Sequence, residues 1–213
     1  MAQVVTSTKI IAHRGCWGGE VSPNSYEAIL ISAEKGFGCE IDIRSLNSEL
    51  VISHDQPTSK SEGVLEFKKI CGIDFQGLLA INVKTDGLID LIQKSSIKAK
   101  HMFFDMSFPE MVIYGNTELK IAPRVSEYEN NLDLPFSFDY VWVDSFTSGG
   151  FEFMRGFLHN YPEKIFIFVS GELHRRDFYG DWKLFKEFNE HYGNVNFCTD
   201  YPEKLNEVLN GKH

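Results

Sequence analysis

The sequence predicts an α/β fold, a single (β/α)8 TIM barrel, because short apolar segments alternate with amphipathic ones along all 213 residues. Several apolar segments are continuous, which is typical of parallel strands covered on both faces, and residues 165–169 are the clearest. No linker rich in Pro, Gly or Ser divides the chain, so we expect one domain over residues 1–213. No glycine-rich phosphate loop follows the first strand, which disfavours an open doubly wound sheet.

Eight segments are predicted to be the strands of this barrel. They are residues 9–13, 38–44 with a continuation at 50–53, 78–84, 101–106, 120–125, 140–145, 164–170 and 194–199. Each combines apolar and β-branched or aromatic residues over a length typical of strands.

Six segments between the strands have the periodicity of helices. Asn24 is predicted to cap the first helix, with Glu27 as its capping-box partner, and Gly36 to end it. The other helices are predicted at residues 64–70, 88–94, 151–160, 181–192 and 203–209. Residues 126–139 have a weak helical pattern and are expected to be irregular.

The composition excludes some classes of partner. A net charge of −9 disfavours a nucleic-acid or anionic-membrane surface, because both require a basic face. No apolar run approaches the roughly 18 residues that would span a bilayer. We therefore expect a small-molecule substrate, no nucleic acid and no stable membrane insertion, whereas the sequence leaves the oligomeric state unknown.

The four cysteines are scattered, without the C-x-x-C pairs of structural zinc sites or the spacing of a disulfide framework. The N-terminal residues 1–6 have neither a charged leader nor a long apolar segment, so no secretory signal is visible. The expected location is therefore cytoplasmic.

The densest group of catalytic side chains lies near the N-terminus. Glu40 and Asp42 are two residues apart in a predicted strand, so their carboxylates lie on one face. Carboxylates this close repel each other unless a cation lies between them, and oxygen ligands of this kind suit Mg2+ or Ca2+. His13 ends the preceding strand and His54 follows shortly after, so two histidines could divide the acid and base roles at a phosphate.

In a barrel, residues at the C-terminal ends of strands point into the site. This rule selects His13, Glu40, Asp42, Asn82, Lys84, Asp105, Arg124, Asp144, Glu172 and Asp200. Asn82 could offer its amide oxygen to a metal, and Lys84 could hold a phosphate oxygen as a point charge. Trp17 and Glu172 are predicted substrate contacts; the alternatives are that Trp17 packs its loop onto the barrel and that Glu172 lies in a solvated turn.

Several of these segments resemble the glycerophosphodiester phosphodiesterase family, within the barrel superfamily that includes phosphatidylinositol-specific phospholipase C. The matching segments are Ala12-His13-Arg14-Gly15, Asn24-Ser25 with Ala28, Glu40-Ile41-Asp42-Ile43, His54-Asp55, Val83-Lys84 and Thr199-Asp200-Tyr201-Pro202. The resemblance spans nearly the whole chain, in the same order. Its most specific part is the N-terminal third.

The resemblance implies a role in lipid metabolism and a role for each matching residue. His13 and His54 would be the catalytic acid and base. Glu40 and Asp42 would be metal ligands, and Arg14 would join Lys84 in contacting the phosphate.

Two positions depart from the family pattern. Pro23 occupies the place of a glutamate, and Asn82 that of an acidic third metal ligand. The neutral amide predicts one of three outcomes: a weaker metal site, a substitute acid such as Asp105 or Glu172, or lost activity. Because both histidines and the carboxylate pair persist, an active enzyme is favoured.

The predicted function is metal-dependent hydrolysis of a glycerophosphodiester or a related phosphodiester, attacked either by water or by a hydroxyl of the substrate itself. Two alternatives stay open. The barrel could bind a phosphate or glycan without hydrolysing it, or the same chemistry could act on a cell-surface polymer or a lysophospholipid.

Overall fold

The structure is a computed structural model that describes residues 7–58, 64–147 and 151–211, so the leader assessed at residues 1–6 lies outside the described residues. The strands in the described ranges are β1 (Ile10–His13), β2 (Gly38–Leu46), β3 (Glu49–Ile52), β4 (Leu65–Glu66), β5 (Leu79–Val83), β6 (His101–Phe104), β7 (Ile121–Ala122), β8 (Arg124–Val125), β9 (Tyr140–Val143), β10 (Ile165–Val169) and β11 (Val195–Thr199). Each predicted strand segment contains at least one of them.

The parallel strands follow one another in the order β7-β6-β5-β2-β1-β11-β10-β9-β8. β7 and β8 are two halves of one segment, separated only by Pro123, which has no N–H to donate to a neighbouring strand. This segment pairs with β6 through Ile121 and with β9 through Arg124. The sheet therefore closes into the predicted (β/α)8 barrel, in which β7 and β8 together count as one of the eight strands.

β2 continues beyond the barrel and pairs antiparallel with β3. The turn between them is formed by Asn47 and Ser48, both with positive φ, as in the tight turns that suit a β-hairpin. β3 in turn pairs with β4. The helix predicted at residues 64–70 is wrong: its start is strand β4, followed by a 3-10 turn at Phe67–Lys69, because pairing with the edge of β3 outweighs local periodicity.

The helices are α1 (Tyr26–Glu34), α2 (Ile89–Gln93), α3 (Phe108–Gly115), α4 (Met154–Asn160), α5 (Tyr179–His191) and α6 (Pro202–Leu209). The cap of α1 is Ser25, whose hydroxyl accepts from the N–H of Ala28, and not Asn24 as predicted. The sequence analysis missed α3, which begins after the capping hydroxyl of Ser107. In the described residues, no helix combines the length and the hydropathy needed to cross a membrane.

Two hydrophobic clusters divide the core into an inner and an outer layer. The inner cluster fills the barrel with alternate residues of the strands, and the rings of Phe104 and Trp142 stack there with centroids 3.8 Å apart. The outer cluster lies between the strands and the helices and includes Ile41 and Ile43 of β2. Residues that alternate with these isoleucines therefore point into the barrel.

The start of β2 packs closely against the backbone that leads into β5. A Cβ added to Gly77 would lie 2.4 Å from the backbone nitrogen of Gly38, where no side chain can move aside. We expect Gly77→Ala to lower the free energy of unfolding by about 2 kcal/mol or more, measured by urea denaturation. The control is Gly193→Ala, where the added Cβ meets nothing within 4 Å. Equal stability of the two variants would contradict this packing.

Candidate active site

The predicted catalytic residue of β1 and the predicted metal ligands of β2 and β5 meet at the C-terminal mouth of the barrel. Parallel pairing places His13 opposite Glu40 and places Asp42 opposite Asn82. The expectation that these four residues lie at the same end of the barrel is thus confirmed. Glu40 and Asp42 are each only 1% exposed, so two carboxylates are buried side by side.

Three side chains compensate the charge of Asp42. Arg14 Nε lies 3.1 Å from Asp42 Oδ2, and Lys84 Nζ lies 3.2 Å from Oδ1. The amide of Asn24 donates to Oδ2 at 2.8 Å, while its own oxygen accepts from the backbone N–H of Asp42. Two cations and an amide therefore surround the carboxylate of Asp42.

The loop after β1 wraps around this carboxylate pair. The backbone N–H of Arg14 donates to Glu40 Oε2 at 3.2 Å. Arg14 and Asn24 both have positive φ, an uncommon conformation for residues other than glycine. Between them Gly15, also at positive φ, passes so close to α1 that a Cβ would lie 2.6 Å from the carbonyl carbon of Ala28. Backbone strain of this kind concentrates at functional sites.

The negative charge of Glu40 is less well compensated by neighbouring cations than that of Asp42. Burial and the neighbouring charge of Asp42 raise the pKa of Glu40 to about 7. The charges of His13, Lys84 and Arg14 oppose this rise but do not cancel it. The positive charges around the two carboxylates therefore do not fully compensate their negative charge at neutral pH.

His13 is held by a carboxylate from the last strand segment. Its Nδ1 lies 2.7 Å from Asp200 Oδ1, and its Nε2 lies 3.9 Å from Glu40 Oε2. Burial lowers the pKa of His13, but the hydrogen bond to Asp200 and the negative charges of Glu40 and Asp200 outweigh it, so the pKa is raised. An imidazole in this position is oriented by one ring nitrogen and can use the other for proton transfer.

His54 follows the β2–β3 hairpin, whose end is hydrogen bonded to the backbone of Asp42. The residue before it, Ser53, donates its N–H to the backbone oxygen of Asp42 at 3.0 Å. Arg44 Nε donates to the backbone oxygen of His54 at 2.9 Å, and Nδ1 of His54 lies 2.8 Å from Asp55. The hairpin thus fixes the main chain of Ser53 beside Asp42, while the His54 side chain is 46% exposed.

Two buried oxygen atoms on the adjacent strands β2 and β5 accept no hydrogen bond. They are Asn82 Oδ1 and Asp42 Oδ1, of which the second has an ionic contact with Lys84 Nζ at 3.2 Å. In the described ranges, no group of three or more His, Cys, Asp or Glu could hold a metal ion. A cation site here therefore needs the amide oxygen of Asn82 beside Glu40 and Asp42. This set of oxygen donors fits a hard divalent cation.

Beyond Lys84, ionic contacts continue along the mouth. Lys84 Nζ lies 3.9 Å from Asp105, whose other carboxylate oxygen lies 2.9 Å from Arg124 Nη1. Burial raises the pKa of Asp105, against the opposing charges of Arg124 and Lys84. Asp105 is thus engaged with two basic side chains.

Glu172 binds neighbouring protein groups. It accepts hydrogen bonds from the hydroxyls of Ser170 and Thr199, and from the backbone N–H of Asp200 at 3.1 Å. Its carboxylate therefore holds the segment that carries Asp200, the partner of His13. A substrate contact by Glu172 stays a prediction.

Trp17 lies at the edge of the mouth. Its indole Nε1 donates to the backbone oxygen of His13 at 2.9 Å, and its ring is 40% exposed. It lines a cavity of about 380 Å3 together with Tyr201, Lys204 and Asp200. The ring thus both anchors the loop and faces a cavity beside His13.

Sequence reasoning missed three contributions to this mouth. Asn24 was interpreted as a helix cap but binds Asp42, and Asp200 was selected as a strand end without its role as the partner of His13. His174 was not selected from the sequence, yet its Nε2 lies 2.5 Å from Asp144 Oδ1. The motif around Asn24 was the only available signal, because the other two contacts join residues from different strands.

No protein-family model matches the chain, and no curated protein matches it. Eight solved chains do match its structure. One is a proposed glycerophosphodiester phosphodiesterase from Galdieria sulphuraria, with a TM-score of 0.66 and 17% identity, over 94% of this chain and 97% of that one. A phosphodiesterase from Oleispira antarctica, in complex with the product sn-glycerol-3-phosphate, has a TM-score of 0.62 and 15% identity, over 94% and 96%.

A third is the glycerophosphodiester phosphodiesterase from Agrobacterium tumefaciens, with a TM-score of 0.56 and 16% identity, over 94% of this chain and 98% of that one. The chain has the fold of these phosphodiesterases. The likeness covers nearly the full length of each protein, so the barrel mouth described above belongs to the shared fold.

The raised pKa of Glu40 makes stability depend on pH. The folded protein binds this proton more tightly than the unfolded chain, so stability falls as pH rises from the ordinary pKa of 4.5 through about 7. In chelator at pH 8, we expect Glu40→Gln to be more stable than the wild type by about 1–3 kcal/mol, and near pH 4 to be about equal. Thermal or urea unfolding at both pH values measures this, with Glu34→Gln on the exposed side of α1 as control. An unchanged pH dependence in Glu40→Gln would contradict it.

Proposed function

We propose that the protein is a phosphodiester hydrolase that acts on a glycerophosphodiester or a related phosphodiester with the help of Mg2+ or Ca2+. The observation that carries the proposal is the oriented imidazole of His13, 3.9 Å from the buried carboxylate pair at the mouth of the barrel. The shared fold supports it, since the Oleispira antarctica phosphodiesterase with this fold is in complex with sn-glycerol-3-phosphate.

The anionic part of the substrate would bind between two basic side chains. Arg14 and Lys84 contact opposite oxygens of Asp42 and are 26% and 20% exposed, so both are partly open to the mouth. A guanidinium can hold two phosphate oxygens at once, and an ammonium adds a point charge. Together they would fix the phosphate above Asp42.

Glu40, Asp42 and Asn82 would hold the divalent cation. When bound, the cation would neutralise charge on the phosphate and polarise the phosphorus towards attack. The buried oxygen of Asn82 and the raised pKa of Glu40 support this assignment, because the oxygen accepts no hydrogen bond and the carboxylate lacks compensating positive charge.

His13 and His54 would divide the proton transfers. The raised pKa of His13 favours its protonated form near neutral pH, which suits a general acid that protonates the leaving alkoxide. His54 would then accept the proton of the attacking hydroxyl, which belongs to water or to the substrate. Asp200 would keep the ring of His13 oriented throughout.

One observation favours a second candidate function, a barrel that binds a phosphate or a glycan without hydrolysing it. Arg14 and Lys84 already compensate Asp42, and the third oxygen ligand is the neutral Asn82. A barrel of this kind would bind phosphate without a metal and would show no turnover. Measuring metal binding and hydrolysis on the same sample separates the two functions.

Hydrolysis of a phosphodiester such as sn-glycero-3-phosphoethanolamine should require a divalent cation and both histidines. His13→Ala and His54→Ala should each lower kcat by roughly 10²-fold or more, since each would remove a general acid or base. Chelation should abolish turnover, and added Mg2+ or Ca2+ should restore it. The control is His159→Ala on the exposed side of α4. Full activity in chelator, or in either catalytic variant, would refute the mechanism.

Replacing Asn82 tests the metal ligands directly. Asn82→Asp adds a carboxylate next to Asp42, so calorimetric titration should show Mg2+ or Ca2+ bound about tenfold more tightly, with Lys84 offsetting part of the gain. Asn160→Asp, at the exposed end of α4, is the control for added charge. Equal or weaker binding in Asn82→Asp would mean that another acid, Asp105 or Glu172, completes the site.

A further inference from the structure

A second histidine–carboxylate pair lies at the mouth, away from β1 and β2. His174 Nε2 lies 2.5 Å from Asp144 Oδ1. Asp144 directly follows β9 and continues the alternation of Tyr140 and Trp142, which belong to the inner cluster. Its carboxylate therefore points inward, above the stacked rings of Trp142 and Phe104. The contact with Asp144 brings the His174 ring over the barrel opening.

The loop that carries His174 is fixed on both sides. Glu172 binds Thr199 and the backbone of Asp200, as described above. Arg176 donates to the backbone oxygens of Ser145 at 2.7 Å and Thr147 at 3.0 Å. His174 thus lies between two anchored residues, and its position is set by neighbouring strand ends.

The two ring nitrogens of His174 differ in their partners. Nε2 is engaged by Asp144, whereas no residue in the described part of the chain hydrogen bonds Nδ1. The side chain is 26% exposed, and its ring centroid lies 5.0 Å from that of Phe146. A half-buried imidazole with one oriented and one open nitrogen is suited to hydrogen bond a ligand beside an apolar ring.

The charges around His174 define the chemistry of that ligand. The guanidinium of Arg124 donates to Asp105 at 2.9 Å and to Glu129 at 2.6 Å. Together with Asp144, these residues place three carboxylates around Arg124, and this concentration of negative charge disfavours a further anionic group. A hydroxyl group can donate to or accept from an imidazole and carries no charge.

We propose that His174, oriented by Asp144, binds a hydroxyl of the alcohol esterified to the phosphate, with Phe146 against its carbon chain. This subsite selects a neutral, hydroxyl-bearing substituent on the side of the mouth opposite His13. The inference rests on the proposed phosphodiesterase function and deepens it, since it names a specificity-determining residue and the group that the residue recognises.

Two substrates with and without hydroxyl groups test this proposal in the metal-loaded protein. With His174→Gln, kcat/KM for glycerophosphoglycerol should fall about tenfold, mainly through KM, because a hydrogen bond to the bound substrate is lost. For bis(4-nitrophenyl) phosphate, which has no hydroxyl group, kcat/KM should stay within about twofold. Asp144→Asn should shift the ratio of the two in the same direction, whereas His159→Gln should not. An equal fall for both substrates, or no fall for either, overturns the proposal.

A measurement on the wild-type protein makes the test independent of how the variants fold. The imidazole nitrogen signals of His174 are followed by NMR during titration with sn-glycerol-3-phosphate and, separately, with inorganic phosphate. Nδ1 should shift with the glycerol ester and not with phosphate; equal shifts, or none with the ester, overturn the proposal. If the wild type hydrolyses both substrates and His174→Gln changes kcat/KM equally for both, this inference is overturned and the proposed function is unaffected. Failure of the wild type to hydrolyse either substrate overturns the proposed function and, with it, the inference.

Discussion

The mouth of the barrel is organised around the burial of two like charges. Glu40 and Asp42 occupy successive inward positions of β2, and each is 1% exposed. An unpaired buried carboxylate is costly, so the surrounding chain must supply cations and hydrogen-bond donors. Arg14, Lys84 and Asn24 do so for Asp42, whereas Glu40 keeps a pKa of about 7.

The backbone next to β1 shows what this compensation requires. Arg14 and Asn24 adopt positive φ, and the N–H of Asn24 donates to the carbonyl of Arg14 at 2.8 Å. This conformation points the side chain of Arg14 and the amide of Asn24 at the same carboxylate. Ser25 is then left to cap α1. One short loop therefore determines both where α1 begins and how the charge of Asp42 is compensated. Helix-capping patterns in the sequence alone assign its residues wrongly, since they select Asn24 as the cap.

The sequence was sufficient for the barrel because alternation of apolar strands with helices is a local pattern. It was also sufficient for the carboxylate pair, since i and i+2 share a face in any strand. It was insufficient where the decisive partner is distant along the chain. Asp200 orients His13 from the last strand segment, His174 binds Asp144 across neighbouring strands, and β4 forms only because the edge of β3 is available.

The strands of the barrel differ in how extensively they are paired, and the shortest pairing lies on either side of Pro123. β2 is paired along its length with β1, β5 and β3, whereas β7 and β8 contribute two residues each on either side of a proline. Amide hydrogens should exchange with solvent more readily where the ladder is so short. Glu40 and Asp42 lie on the extensively paired strand β2, whereas Arg124 lies on the short strand β8. Local opening near Pro123 therefore leaves the strand pairing that positions the carboxylate pair intact.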